Sequence, residues 1–237
     1  MDRLIYTALT AMRAQTATQA VTANNLANAQ VPGFRRELAS LGALWLGGER
    51  VGETRVEADA VVRTAVLDVG LVTTTGAPLD IAIDGPGWLA VQAADGSEAY
   101  TRRGDLRIAA SGVLETGDGH AVLGDGGQPL TIPPGGAATI APDGSVSAGG
   151  IAAGRLKLAA GAPLLKRDDG LFGSAVPLDA DSSVRVRPGA LEGSNVTTAG
   201  SLAELLEQSR GFETSAKLLR LTREIDEGGT RLMRIDG

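Results

Sequence analysis

His120 is the one histidine of this 237-residue chain, and it stands in Gly117-Asp118-Gly119-His120, a turn composition. Without a second histidine or any cysteine, a zinc site lacks its usual ligands, and disulfides and thiol catalysis are excluded. Gly85-Pro86-Gly87-Trp88-Leu89-Ala90 spells G-x-G-x-x-A. Dinucleotide binding requires a helix N-terminus behind those glycines to hold the pyrophosphate. Strand pattern and then Asp95-Gly96 follow instead, so a hairpin reading is preferred. No G-x-S-x-G elbow or H-E-x-x-H helix occurs, and the aspartates lack EF-hand spacing. Asp80, Asp84, Asp105 and Glu115 could pair as glycosidase acids do, but in turn-rich sequence solvated carboxylates are the ordinary case. No catalytic residue, metal or cofactor is therefore expected. Asn24, Asn25 and Asn28 are poor helix formers inside a helical pattern, because asparagine competes for backbone hydrogen bonds. Either they mark a fraying helix end, or they bond polar groups on neighbouring chains. Physics alone leaves both open.

Composition narrows the partners. The net charge of −6 disfavours nucleic acid, which needs a basic stripe, and adsorption to anionic lipid. No run of about 18 apolar residues is present, so no membrane insertion is expected. Arg13 and Gln15 break any signal-peptide core, which by general rules suggests a cytosolic chain. Aromatics make up 3% of the residues, leaving Phe34, Trp45, Trp88, Phe172 and Phe212 as the large anchors.

The elements that would position these groups divide into like ends and an unlike middle. Asp2 to about Ala29 reads as one helix capped by Asp2. Ile5, Leu9, Met12, Thr16, Gln19, Ala23 and Leu26 step alternately by four and three, which is heptad spacing with a weak middle. Val31-Pro32-Gly33 ends it. Ser201-Leu202-Ala203-Glu204 matches a capping box, and Leu202, Leu205, Ser209, Phe212, Ala216 and Leu219 form a second stripe. Gly211 and Gly228-Gly229 weaken that helix. Between the ends, alternating segments such as Leu79 to Ile83 and Trp88 to Val91 are separated by Asp-Gly pairs at 84–85, 95–96, 118–119, 125–126, 143–144 and 169–170, the signature of type I′ hairpins. The expected fold is α+β: long terminal helices paired as a coiled-coil-like stem, with a central antiparallel β domain of short strands. The expected divisions are 1–34 (N-terminal helix), 35–77 (irregular extended connector), 78–191 (β domain) and 192–237 (C-terminal helix).

Three ordered stretches carry a resemblance. Ala23-Asn24-Asn25-Leu26-Ala27-Asn28-Ala29 with Pro32-Gly33-Phe34-Arg35-Arg36 is similar to the N-terminal signature of bacterial flagellar rod and hook proteins. Pro78 to Ile83, Gly87 to Gln92 and Tyr100-Thr101-Arg102-Arg103-Gly104 resemble their central β region, and Leu191-Glu192-Gly193-Ser194-Asn195-Val196 the segment before their C-terminal helix. The opening Met1 to Ala8 and the stretch Gly87 to Glu98 resemble the proximal rod members, with distal rod and hook paralogues as the alternative within the family. Gly228-Gly229 and the tail from Arg231 to Gly237 depart from the pattern.

The resemblance implies a non-enzymatic structural subunit. It would be exported by the flagellar type III export apparatus without a cleaved signal, which overrides the cytosolic default. It would polymerise with copies of itself and with proximal and distal rod subunits into the axial rod that crosses the periplasm and transmits torque to the hook. Weak stripes suit terminal segments that order only when neighbours bury them. The subunit interface expected on this basis comprises Ile5, Leu9, Met12, Ala23, Asn24, Asn25, Leu26, Asn28, Leu202, Leu205, Phe212 and Leu219. Pro32, Gly33 and Phe34 form the family's turn, and Glu192, Ser194 and Asn195 its motif before the last helix. The asparagines then lean towards intersubunit contacts. Two rivals are an extracytoplasmic β-rich hydrolase or carbohydrate binder, for which aromatic platforms are scarce, and a trimeric coiled-coil fibre, for which the heptads are too interrupted.

Overall fold

The computed structural model describes residues 2–45, 56–134, 136–161 and 164–235; the side chains of residues 2–9 and 40–63, and of most positions beyond 218, lie outside that description. The chain forms two compact units, each discontinuous in sequence.

The first unit gathers Met1–Ala27, Glu37–Thr64 and Thr197–Gly237. It contains helix α1 (Asp2–Ala27), the paired strands β1 (Glu37–Trp45) and β2 (Val56–Ala65), and helix α2 (Thr198–Ile235). Alanine-rich sequence favours α1, and the turn after Asn28, closed by Val31 N–H donating to Asn28 O at 3.1 Å, ends it before Pro32. α2 begins one turn earlier than the Ser201 capping box predicts. Thr197 holds the cap position, and Ser201 N–H donates to Thr197 O at 3.0 Å, so Ser201 lies inside the helix and is buried. α2 then runs unbroken through Gly211 and Gly228-Gly229.

The coiled-coil-like stem is not what these helices form. A coiled coil buries apolar knobs at the seam. Here the bonds that join the helices are polar: Gln15 Nε2 donates to Gln208 O at 2.9 Å, and Gln208 Nε2 donates to Thr22 Oγ1 at 2.9 Å. Among the described side chains of α1 the buried ones are Ala14, Val21, Thr22 and Asn25, a different face from the predicted stripe, on which Thr16 and Ala23 are exposed. Leu202, Leu206 and Leu221 of α2 are 48%, 63% and 54% exposed. Small and polar residues meet where leucines were expected: the Gln15 side chain lies over Gly211, where a Cβ would stand 2.9 Å from Gln15 Nε2.

The second unit gathers residues 28–36 and 65–196 and is antiparallel β throughout its named pairings. Its strands are β3 (Val72–Thr74), β4 (Ile81–Asp84), β5 (Gly87–Gln92), β6 (Glu98–Thr101), β7 (Leu106–Ile108), β8 (Leu114–Thr116), β9 (Ala138–Ile140), β10 (Ser145–Ala148), β11 (Ile151–Arg155), β12 (Leu158–Ala160), β13 (Leu165–Lys166), β14 (Phe172–Gly173), β15 (Arg185–Pro188) and β16 (Ala190–Glu192). Five of them form one sheet in the order β12-β5-β6-β14-β13, and β11-β10-β9 form another; β15 pairs with β4, β16 with β3 and β7 with β8.

Period-2 alternation sends neighbouring side chains of a strand to opposite faces. On β5, Leu89 and Val91 join a large core with Ile81, Leu114, Val146 and Leu156. Trp88 and Ala90 face a second cluster with Tyr100 and Phe172, where the Trp88 and Phe172 rings lie 4.5 Å apart. Both faces are covered, which is why β5 reads as a continuous apolar run.

The Asp-Gly pairs make turns, but not of type I′. Among the described residues none other than glycine has positive φ, so each aspartate keeps φ < 0; the glycine of the pair turns left-handed, as at Gly96 and Gly144, except at Asp125-Gly126, where the next residue, Gly127, does so. Aspartate carboxylates such as Asp95 and Asp143 instead accept the N–H of the residue two places on. These are longer loops with a left-handed glycine after the turn, a geometry that Asp-Gly serves equally well.

Candidate functional site: a junction of sequence motifs

Within the β unit, the stretches singled out in sequence converge on one carboxylate. Glu192, at the end of β16, has a fully buried side chain. Its Oε1 lies 2.5 Å from Arg35 Nη2 and accepts Gly70 N–H at 2.9 Å. Its Oε2 accepts Arg102 Nε at 2.9 Å and lies 2.8 Å from Arg102 Nη2. Arg102 uses all five donors, for Nη1 also bonds Gly85 O and Gly87 O and Nη2 bonds Ile83 O. Burial pulls the Arg102 pKa down, and the Glu192 charge opposes that pull. Arg35 is less well served: among the described residues its Nε and Nη1 find no partner. Desolvating three charges is costly, and the geometry recovers that cost only through these bonds.

The turn of Pro32, Gly33 and Phe34 docks against the same group. Gly33 N–H donates to Glu192 O at 2.7 Å. Gly33 has φ +68°, and a Cβ there would stand 2.3 Å from the Arg102 carbonyl carbon, so only glycine fits. Lys166 Nζ donates to Arg35 O at 2.7 Å and lies 3.9 Å above the Phe34 ring. Asn195 completes the junction. Its Oδ1 accepts Arg36 N–H at 2.6 Å, its Nδ2 donates to Val66 O and Asp68 O at 2.9 and 3.0 Å, and its own N–H reaches Phe34 O at 3.3 Å. Ser194 Oγ accepts Val196 N–H at 3.1 Å. Residues from 90 to 159 positions apart in sequence thus share one hydrogen-bond network.

The helical unit has its own polar lock. Asn25 is buried; its Nδ2 donates to Glu37 O and its Oδ1 accepts Glu37 N–H, both at 2.8 Å, as a neighbouring strand would. Asn24 Nδ2 donates to Glu37 Oε1 at 3.1 Å. Asparagine inside the helix end is thereby accounted for within the chain at Asn25. Of the other positions singled out, Ala23 is exposed, and Met12, Leu26, Asn28, Leu205 and Phe212 are half-buried. Leu202 is exposed, while the side chains of Ile5, Leu9 and Leu219 lie outside the described residues.

Sequence reasoning named Glu192 and Asn195 but not Arg35, Arg102 or Lys166. Its available signal was that Arg35 and Arg102 sit inside the very stretches that carried the resemblance. The carboxylates considered for glycosidase chemistry do other work: Asp80 accepts Thr75 Oγ1, Asp84 and Asp105 pair with Arg187 and Arg103, and Glu115 pairs with Arg107. His120 lies 4.0 Å from Asp118 in its turn. Among the described residues no group of three acidic, histidine or cysteine side chains is placed to hold a metal, and no helix is long and apolar enough to cross a membrane.

The charged and amide groups of this junction are engaged with one another and with main-chain groups, and they tie distant chain segments into one unit. Residues 5–35 match the flagella basal body rod protein family, 82–148 the flagellar hook protein FlgE/F/G D1 domain, and 187–232 the flagellar basal body rod FlgEFG protein C-terminal family. The chain is 40% identical over 251 residues to the flagellar basal-body rod protein FlgF of Salmonella typhimurium, covering 98% of this chain and 99% of that one. It is 41% identical to FlgF of Escherichia coli (92% and 93% covered), and 31% identical to the rod protein FlgG of Agrobacterium fabrum (94% and 96% covered). The chain belongs to the flagellar basal-body rod protein family, and within it is more like these FlgF proteins than this FlgG. It is a structural subunit of the bacterial flagellar basal body and associates there with other rod and hook proteins.

Proposed function

We propose that the subunit polymerises through its terminal helices, is delivered by the flagellar type III export apparatus, and transmits torque from motor to hook without catalysing any reaction. The observation that carries the polymerisation reading is the outward face of α2, on which Leu202, Leu206 and Leu221 are all more than 45% exposed. A helix that leaves such a stripe in water gains free energy when a neighbouring chain covers it, about 25 cal/mol for each Å² of apolar surface. Head-to-tail contact is required, since a two-fold contact closes into a dimer and cannot propagate. The interface set comprises Ile5, Leu9, Met12, Ala23, Asn24, Asn25, Leu26, Asn28, Leu202, Leu205, Phe212 and Leu219. For Asn25 the bonds to Glu37 support a role in shaping the helix end rather than in direct contact.

Aspartate at Phe212 or Leu206 tests this reading. The purified variant should keep the circular dichroism and thermal transition of the parent β unit but fail to enter basal bodies. Normal basal bodies and motility from both variants would remove α2 from the interface. Secretion measured in the same cells separates failed export from failed assembly.

A further inference from the structure

The Asp-Gly pairs are chemically as well as conformationally distinctive. The main-chain nitrogen of a glycine can attack Cγ of the preceding aspartate. The N–Cγ bond forms, the amide proton passes to solvent, and the carboxyl hydroxyl leaves as water. A second water then opens the succinimide at either carbonyl. Opening at the α-carbonyl leaves the main chain running through the aspartate side chain, an isoaspartyl linkage. The reaction needs a neutral carboxyl group and a nitrogen released from competing hydrogen bonds. Water is its only co-reactant.

Six such pairs lie in described residues, and a seventh, Asp236-Gly237, lies outside them. Five of the six hold the carboxylate in a bond. Asp84 pairs with Arg187 at 3.3 Å. Asp95 accepts Ser97 Oγ at 2.5 Å, Ser97 N–H at 2.9 Å and Arg167 Nη2 at 2.9 Å, and the Ser97 hydroxyl foremost holds it well below the usual carboxylate range. Asp118 accepts Thr116 Oγ1. Asp143 accepts the N–H and Oγ of Ser145 at 3.0 and 2.8 Å, which likewise lower its pKa. Asp169 accepts Leu171 N–H and Arg167 Nε, both at 3.0 Å. In four of these pairs the attacking nitrogen is engaged as well. Gly96, Gly119, Gly144 and Gly170 donate to Ala93 O, Thr116 O, Ala141 O and Arg167 O at 2.8 to 3.2 Å.

Asp125-Gly126 alone of the six lacks both restraints; Asp84-Gly85 shares its unbonded glycine nitrogen but keeps the Arg187 ion pair on its carboxylate. Among the described residues the Asp125 carboxylate takes no hydrogen bond or ion pair, and Gly126 N–H finds no acceptor. Both residues are exposed, a Cβ on Gly126 would meet nothing within 4 Å, and the turn is closed by the next amide, Gly127 N–H to Gly124 O at 2.8 Å. We propose that Asp125-Gly126 is the principal site at which the folded subunit undergoes isoaspartate formation, four of the other described Asp-Gly pairs being protected by their turn hydrogen bonds and Asp84-Gly85 by the Arg187 ion pair alone. The extra main-chain methylene falls inside the loop held by Gly124 N–H to Gln128 O (2.9 Å) and Asp125 N–H to Arg155 O (3.1 Å), so the change loosens that turn.

The test ages the full purified chain at neutral pH and physiological temperature, folded and in denaturant in parallel. Proteolytic peptides are then sequenced by electron-transfer fragmentation, which distinguishes β-linked from α-linked aspartate. In the folded chain, isoaspartate at 125 should exceed that at 95, 118, 143 or 169 by at least about tenfold, the factor that one hydrogen bond to a charged group contributes, and that at 84 by a smaller factor, because the Asp84 ion pair is exposed. In denaturant the difference should collapse. Ser97→Ala should raise the yield at Asp95, and Asp125→Glu should abolish the reaction at its own position. Equal yields at all six positions of the folded chain, or none at 125 while the denatured chain reacts there, would overturn the assignment.

Discussion

Replacing Glu192 by glutamine changes almost nothing in shape and removes the negative charge that lies between two buried guanidinium groups. The carboxylate has contacts of 2.5 Å to Arg35 Nη2, 2.8 and 2.9 Å to Arg102 and 2.9 Å to Gly70 N–H. Glutamine keeps one acceptor oxygen but turns an NH2 towards an arginine donor, and neither arginine can reach water. Breaking a buried pair by removing one partner costs about 3–5 kcal/mol. For a unit of this size that corresponds to a fall in Tm on the order of 10 °C. Differential scanning calorimetry of the purified chain, following the transition of the β unit, measures it. Because Arg102 satisfies all five donors and Arg35 leaves two without partners, Arg35→Met in the Glu192→Gln background should recover part of the loss, and Arg102→Met should not. A Tm within about 3 °C of the parent for Glu192→Gln would show that the two guanidinium groups are stable without the facing charge, and the junction argument would fail.

Gly33→Ala should destabilise the β unit by about 3 kcal/mol or more, combining left-handed strain with a 2.3 Å approach to Arg102; an unchanged denaturant midpoint would contradict this. Asn25→Ala removes two 2.8 Å bonds to the Glu37 main chain and should cost about 2 kcal/mol, with faster hydrogen exchange at the Glu37 amide as the local signature. Burial pushes Tyr100 from its ordinary value of 10.0 up to about 12. Between those values the folded state holds a proton that the unfolded state releases, so stability is full below pH 10 and falls as pH rises towards 12. Tyr100→Phe should flatten that alkaline loss in urea titrations; an equally steep loss in the variant would assign it to other groups.

Much of the architecture was legible in order along the chain. The two terminal helices follow from alanine and leucine content interrupted by Pro32, and the β middle from alternating runs between Asp-Gly turns, because both are local properties of three to five residues. The candidate site was legible in part. Glu192 and Asn195 were named because they stand in a recognisable stretch, yet nothing in their spacing announces that Glu192 bonds Arg102, 90 positions away, or that Asn195 bonds Val66, 129 positions away. The turn type was misjudged because glycine alone carries the positive φ and the aspartate acts through its carboxylate.

By itself, then, the sequence determined the terminal helices, the β character of the middle and the family, since helical period, strand period and the three motifs are all written in neighbouring residues. It did not determine the pairing of β1 with β2, where an irregular connector was expected. Tertiary structure alone decided which face of each helix is covered. Heptad counting selected Met12, Thr16 and Ala23, whereas packing selected Ala14, Val21, Thr22 and Asn25, with polar bonds through Gln15 and Gln208 in place of an apolar seam. It also decided that one glutamate would be neutralised by two arginines from distant strands and loops. The physical reason is common to both. Period selects a helix or a strand from local geometry. Burial is a property of what comes to lie opposite, and in this chain the partners come from segments far apart in sequence.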